Sequence, residues 1–201
     1  MKLYFFLLRL LGPLARLVFR VEYRGTEHIP RDGALIVCAN HRSVIDPLLL
    51  AVPFRRPIRY MAKSELFEDH GRLAAWFLHA MGAFPVQRDK GDAGSVRTAL
   101  EVLEKGEVLG IFPQGRVIFD NSPFQPKAGF ALLAEKSGAP VLPVSIYCQG
   151  ELLRPRSHVT VRFGAPIPAS ALFAAQGERS GLRCAAARLS REINEMLEEK
   201  H

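Results

Sequence analysis

Short apolar runs recur along this chain at Ala34–Ala39, Ile58–Ala62, Val108–Phe112, Val141–Tyr147 and Val159–Phe163. Helical patterns at Pro47–Val52, Glu65–Met81, Ala93–Lys105 and Ala128–Ser137 fill the gaps, and a last helix spans about Gly181–Glu199. Runs of this length, bounded by Gly, Pro and polar residues, read as buried strands. Strands alternating with helices predict an α/β domain with a mixed, largely parallel sheet flanked by helices. Ser64 and Asp92 stand where helix caps are expected, and Gly106 and Gly138 stand where two helices should end. In such sheets ligands bind beyond the carboxyl ends of the strands, so the residues that follow each run are the candidates for chemistry.

Two of those strand ends carry unusual residues. The first opens into Asn40-His41-Arg42-Ser43-Val44-Ile45-Asp46. Asp46 precedes Pro47, the order favoured for an N-cap followed by the first residue of a helix. On one regular helix, five residues would hold His41 and Asp46 well off a common face. A turn between strand and helix lets the carboxylate fold back to the imidazole. Asp46 would then fix the ring tautomer and stabilise the imidazolium as His41 takes a proton, the makings of a general base. The second strand end is Gly110-Ile111-Phe112-Pro113-Gln114-Gly115-Arg116, a Pro/Gly turn after Val108-Leu109.

These two segments, about 70 residues apart in the chain, resemble the glycerolipid acyltransferase family that includes the 1-acylglycerol-3-phosphate acyltransferases. That family carries Asn-His, then Asp after four intervening residues, then Phe-Pro-Glu-Gly-Thr-Arg. Two further blocks are similar to it in order, Gly82–Asp89 and Val141-Leu142-Pro143-Val144, so the likeness spans roughly residues 20–165. Gln114 stands in place of the family's glutamate, and Arg116-Val117 in place of Thr-Arg. The ungapped count from Phe112 to Lys127 reads this as two substitutions. A neutral amide can hold a turn by hydrogen bonding without supplying charge.

The resemblance implies acyl transfer from acyl-CoA or acyl-carrier protein to the free hydroxyl of a lysophosphatidate-like acceptor. His41 would be the base and Asp46 its orienting group. Arg88 and Lys127 match positions tied to the acceptor phosphate, and Arg116 joins them by adjacency. Arginine offers a planar fork and lysine a point charge. Gly115 lets the backbone turn tightly beside the substrate. No Gly-X-Ser-X-Gly elbow is present, so the hydroxyl is expected to attack directly, without a serine acyl-enzyme. Ser43 is read as stabilising its turn. Neither a metal nor a cofactor is required. Two alternatives stay open: another lyso- or amino-lipid acceptor, motivated by Gln114, and a membrane-binding protein with decayed catalysis.

Composition narrows the partners. The chain has 201 residues, enough for one domain with a sizeable core, and 48% of them are hydrophobic. Lys and Arg total 27 against 20 Asp and Glu, a net charge of +7, which favours anionic partners. No nucleic-acid-binding motif accompanies that charge. The three cysteines, Cys38, Cys148 and Cys184, form no metal or disulfide spacing, consistent with a reducing compartment. In residues 1–20, Lys2, Arg9, Arg16 and Arg20 fall within a sector of about 40° on an otherwise apolar helix. Arg9 and Arg16 interrupt the run too often for a membrane span. The pattern predicts an interfacial helix, kinked at Gly12-Pro13, that sets a separate domain of residues 21–201 peripherally on the cytoplasmic face of an anionic membrane.

Overall fold

In a computed structural model, described over residues 2–86, 93–120, 122–150, 153–173 and 178–198, the five apolar runs and two further segments form one seven-stranded sheet. The strands are β1 (Arg20–Arg24), β2 (Leu35–Ala39), β3 (Ile58–Lys63), β4 (Ala83–Val86), β5 (Val108–Ile111), β6 (Val141–Cys148) and β7 (His158–Phe163). Their order is β1-β7-β6-β2-β5-β3-β4. Only the β6–β7 pair is antiparallel, so the sheet is mixed and largely parallel. Alternate residues of β2 serve opposite faces: Leu35, Val37 and Ala39 enter one core, Ile36 and Cys38 the other.

Helices cover both faces. The first core takes residues from α1 (Lys2–Val18), α2 (Asp46–Ala51), α3 (Glu65–Glu68) and α4 (Gly71–Ala80). The second takes them from α5 (Ala93–Glu104), α6 (Gly129–Ser137), α7 (Ala169–Leu172) and α8 (Glu178–Glu198). The single helix expected over Glu65–Met81 is two, because Gly71 adopts a φ of 78° that an α-helix cannot contain. Gly138, at φ 67°, ends α6 as expected.

Two strands escape the apolar-run signal, and both lie at the sheet edges. β1 reads Arg-Val-Glu-Tyr-Arg, with its charges pointing to solvent. β4 contains Pro85, exposed and tolerated because β4 pairs with β3 alone.

The first helix departs most from expectation. One face of α1 belongs to the core: Tyr4, Leu8, Gly12 and Ala15 are buried. The Tyr4 hydroxyl accepts a hydrogen bond from the Ile58 N–H at 3.1 Å. Burial pushes that phenol up to about 12, so it stays neutral. Gly12 packs on Val52, where an added methyl would lie 3.2 Å from Cγ2. The helix runs on through Pro13 and ends at Val18, so Arg20 leaves the basic stripe to open β1. A second apolar stripe, Leu3, Phe6, Leu10, Leu14 and Leu17, points outward. So wide an apolar surface satisfies both descriptions, a docked helix and an exposed apolar one.

Candidate functional site

β2 and β5 are neighbours, yet the chain leaves them in opposite directions across the sheet, β2 towards β3 and β5 towards β6. Their carboxyl ends therefore flank a crevice at a topological switch point. His41 follows β2 there, and the Phe112–Gly115 turn follows β5.

Asn40 extends β2 by imitating a strand residue. Its side-chain amide donates to the Ile146 carbonyl at 2.9 Å, and its oxygen accepts the Ile146 N–H at 2.6 Å. The chain then turns, and Asp46 folds back as the spacing predicts. Asp46 Oδ2 accepts from His41 Nδ1 at 2.8 Å and from the backbone N–H groups of Arg42 at 2.6 Å and Ser43 at 2.8 Å. Asp46 is 0% exposed. An oxygen that accepts two backbone N–H groups carries no proton, so in the neutral imidazole the hydrogen sits on Nδ1 and the lone pair on Nε2. The helix-cap expectation is corrected. Asp46 is the first residue of α2 rather than its cap, and its carboxylate ties down the preceding loop instead of the helix's own N–H groups. The Ser43 hydroxyl sits 3.4 Å from the Ile45 N–H, within its own turn.

Two aromatic rings back the imidazole in a stack. His41 stacks on Phe112, centroids 4.0 Å apart and planes at 19°. Phe112 in turn lies parallel to Tyr60 at 6.3 Å. The Tyr60 ring crosses β5 over Gly110, where a β-carbon would come within 2.5 Å of it. Glycine is needed there because a large ring replaces its side chain. The Tyr60 hydroxyl donates to the Pro47 carbonyl at 2.8 Å. Burial, with the Asp46 charge among the lesser causes, holds that phenol well above its usual range.

The His41 peptide is gripped from both sides. Its N–H donates to Gln114 Oε1 at 2.9 Å, and its carbonyl accepts the Ile118 N–H at 2.7 Å. Gln114 thus acts as an acceptor for main chain, which an amide performs as well as a carboxylate. Its carbonyl oxygen is engaged behind the histidine. Gln114→Glu is expected to leave turnover within about threefold, because one neutral acceptor is exchanged for a charged one at a bond worth ~1 kcal/mol. A steady-state assay checks this.

Sequence reasoning left Arg42 aside. It is buried and donates to the carbonyls of Asp120 and Gly150, joining the loops after β5 and β6 to the His41 loop. No local signal set it apart from a solvated arginine, since Val44 in the same turn is exposed. Gly115, at φ 77°, closes the turn with its N–H on the Phe112 carbonyl at 3.0 Å. The Lys127 N–H bonds to the Pro113 carbonyl at 3.0 Å, and its ammonium lies beside Gly115. Arg116 and Lys127 are both exposed at this edge. Arg88 and Asp92 lie outside the described residues. An apolar groove of about 300 Å³ opens beside the turn, lined by Met61, Val86, Val96, Ile111, Phe130 and Leu133, with Lys127 at its rim.

The chain matches a family profile described as Acyltransferase over residues 20–147. It is 32% identical over 128 residues to the 1-acyl-sn-glycerol-3-phosphate acyltransferase of Bacillus subtilis, covering 62% of this chain and 61% of that protein. It is 31% identical over 183 residues to the enzyme of that name from Streptococcus pneumoniae, covering 89% of this chain and 66% of that one. The chain therefore spans about three fifths to two thirds of the length of these relatives. The crystal structure of the 1-acyl-sn-glycerophosphate acyltransferase of Thermotoga maritima superposes with a TM-score of 0.74, covering 96% of this chain and 80% of that one at 24% identity. At that identity the likeness speaks for the fold.

Proposed function

This chain belongs to the Acyltransferase family, and from that premise we propose that it moves a fatty acyl group from a thioester donor to the free hydroxyl of a lysophosphatidate-like lipid. The observation that carries the reading is the His41–Asp46 pair: a buried carboxylate 2.8 Å from Nδ1, on an imidazole held flat by Phe112. The acceptor hydroxyl gives its proton to His41 Nε2 as its oxygen bonds to the thioester carbonyl carbon. Asp46 remains a carboxylate and stabilises the imidazolium. Collapse of the tetrahedral intermediate breaks the carbon–sulfur bond, and the departing thiolate takes the proton back from Nε2. An ester and a thiol result, with no bond to the protein at any stage.

The apolar groove beside the turn suits an alkyl chain, because its lining is mainly aliphatic and aromatic, with Ser95 a buried polar side chain among it. Arg116 and Lys127, exposed at the same edge, supply the charge a phosphate-bearing acceptor needs. Acyl-CoA and acyl-carrier protein both meet the donor requirement. The outward stripe of α1, with Lys2, Arg9 and Arg16 exposed beside it, supports a peripheral seat on the cytoplasmic face of an anionic membrane, where such thioesters are available. No described helix is long and apolar enough to cross a bilayer.

The test is mass spectrometry of purified protein on vesicles, with a panel of lysolipids and both donor types. A new acyl ester is expected on lysophosphatidate. Transfer confined to an uncharged or amino lysolipid would move the acceptor assignment. No transfer from either donor to any acceptor would leave the reading of a membrane-binding relative with lost catalysis.

A further inference from the structure

Apart from Phe119, the large exposed apolar side chains among the described residues all lie in one helical layer or on the His41 turn. Five form the outward stripe of α1. Val44, 84% exposed, stands three residues from His41. Leu73, Trp76 and Phe77 stand on α4, where spacings of three and four residues align them as a ridge. Leu78 and Phe67 anchor α3 and α4 in the same core that receives Tyr4, Leu8 and Ala15 of α1, together with Ile45 and Leu48 around Asp46.

We propose that the α4 ridge is a second bilayer contact, with the Trp76 indole at the headgroup boundary, that sets the His41 mouth towards the lipid surface. This rests on the membrane seat proposed above. One stripe along α1 is a line of contact, and it leaves the domain free to roll about that line. A second contact on a different helix of the same layer removes the roll, so a lipid acceptor meets the catalytic edge rather than the domain's flank.

The occupant is a bilayer on three grounds. Trp, Phe and Leu are the side chains that partition to the membrane–water boundary, where an indole keeps one polar edge wet. Arg72 lies one helical turn from Trp76, placed for its guanidinium to meet lipid phosphates while the stem lies along apolar surface. Three side chains on a ten-residue helix also fall well short of the ~1,000 Å² that a stable protein partner buries. Glu65, Glu68 and Asp69, exposed on the adjoining turn, keep the contact shallow.

Trp76 is the single tryptophan of the chain, so the full-length protein carries its own probe. On vesicles of phosphatidylcholine and phosphatidylglycerol its emission should move to shorter wavelength and be quenched by brominated acyl chains. Leu73→Ser/Phe77→Ser should weaken vesicle binding about tenfold while leaving acyl transfer to a short-chain, water-soluble acceptor unchanged. Protein that sediments with vesicles while Trp76 emission stays unshifted and unquenched would overturn the inference and leave the α1 seat standing. Protein that sediments with no vesicle would remove both. A blue-shifted Trp76 without lipid, at doubled mass, would give the ridge to a second copy of the chain.

Discussion

His41→Ala is expected to cut turnover by about 10²–10⁴-fold, the range general base catalysis supplies, or about 3–5 kcal/mol of barrier. The fold should persist, because the imidazole contributes one ring contact and one hydrogen bond at the rim of the sheet. Asp46→Asn should cost nearly as much for a different reason. Its amide oxygen can still accept from one loop N–H, but a neutral group no longer stabilises the imidazolium and can present its NH₂ to Nδ1, which favours the wrong tautomer. A folded His41→Ala protein that keeps more than a tenth of wild-type turnover would remove histidine from the chemistry.

The parts of this site legible in the sequence are those that depend on spacing within one segment. His41 and Asp46 could be paired because a strand end followed by Asp-Pro leaves few ways to place five residues. The central strands β2 and β5 were legible because each is a near-continuous apolar run, the signature of strands covered on both faces. What escaped depends on contacts between segments. Gln114 and His41 lie 73 residues apart, and nothing local distinguishes an amide that holds a distant peptide from one that faces substrate. The Tyr60–Phe112–His41 stack needs three strands brought together, and its one local trace is Gly110 in an otherwise bulky run. For α1, periodicity revealed apolar and basic sectors, but no pattern within one helix tells which apolar sector meets protein. Tyr4 and Gly12 decide that through Ile58 and Val52, partners some 40 to 54 residues away.

Arg116→Ala should raise the KM for a phosphate-bearing acceptor about ten- to a hundred-fold, with little change in the donor KM. The expectation starts from position. Arg116 lies between Gly115, which closes the turn on Phe112, and Ile118, whose N–H holds the His41 carbonyl. Its backbone is thereby fixed at the catalytic edge, while its side chain is exposed and can swing onto a ligand. A hydrogen bond from a charged group to phosphate contributes ~1.5–3 kcal/mol, and each 1.4 kcal/mol is about a factor of ten. Arg116→Lys should recover part of the loss, since the charge returns without the two-pronged fork. Lys127, beside Gly115 at the groove rim, provides the comparison: as a point charge, its removal should cost less on the same acceptor. An uncharged lysolipid isolates the phosphate, because neither substitution should alter its KM. Should Arg116→Ala leave the KM and turnover of both acceptors where they were, the arginine is a solvated turn residue, and the phosphate must be held by other cations at this edge.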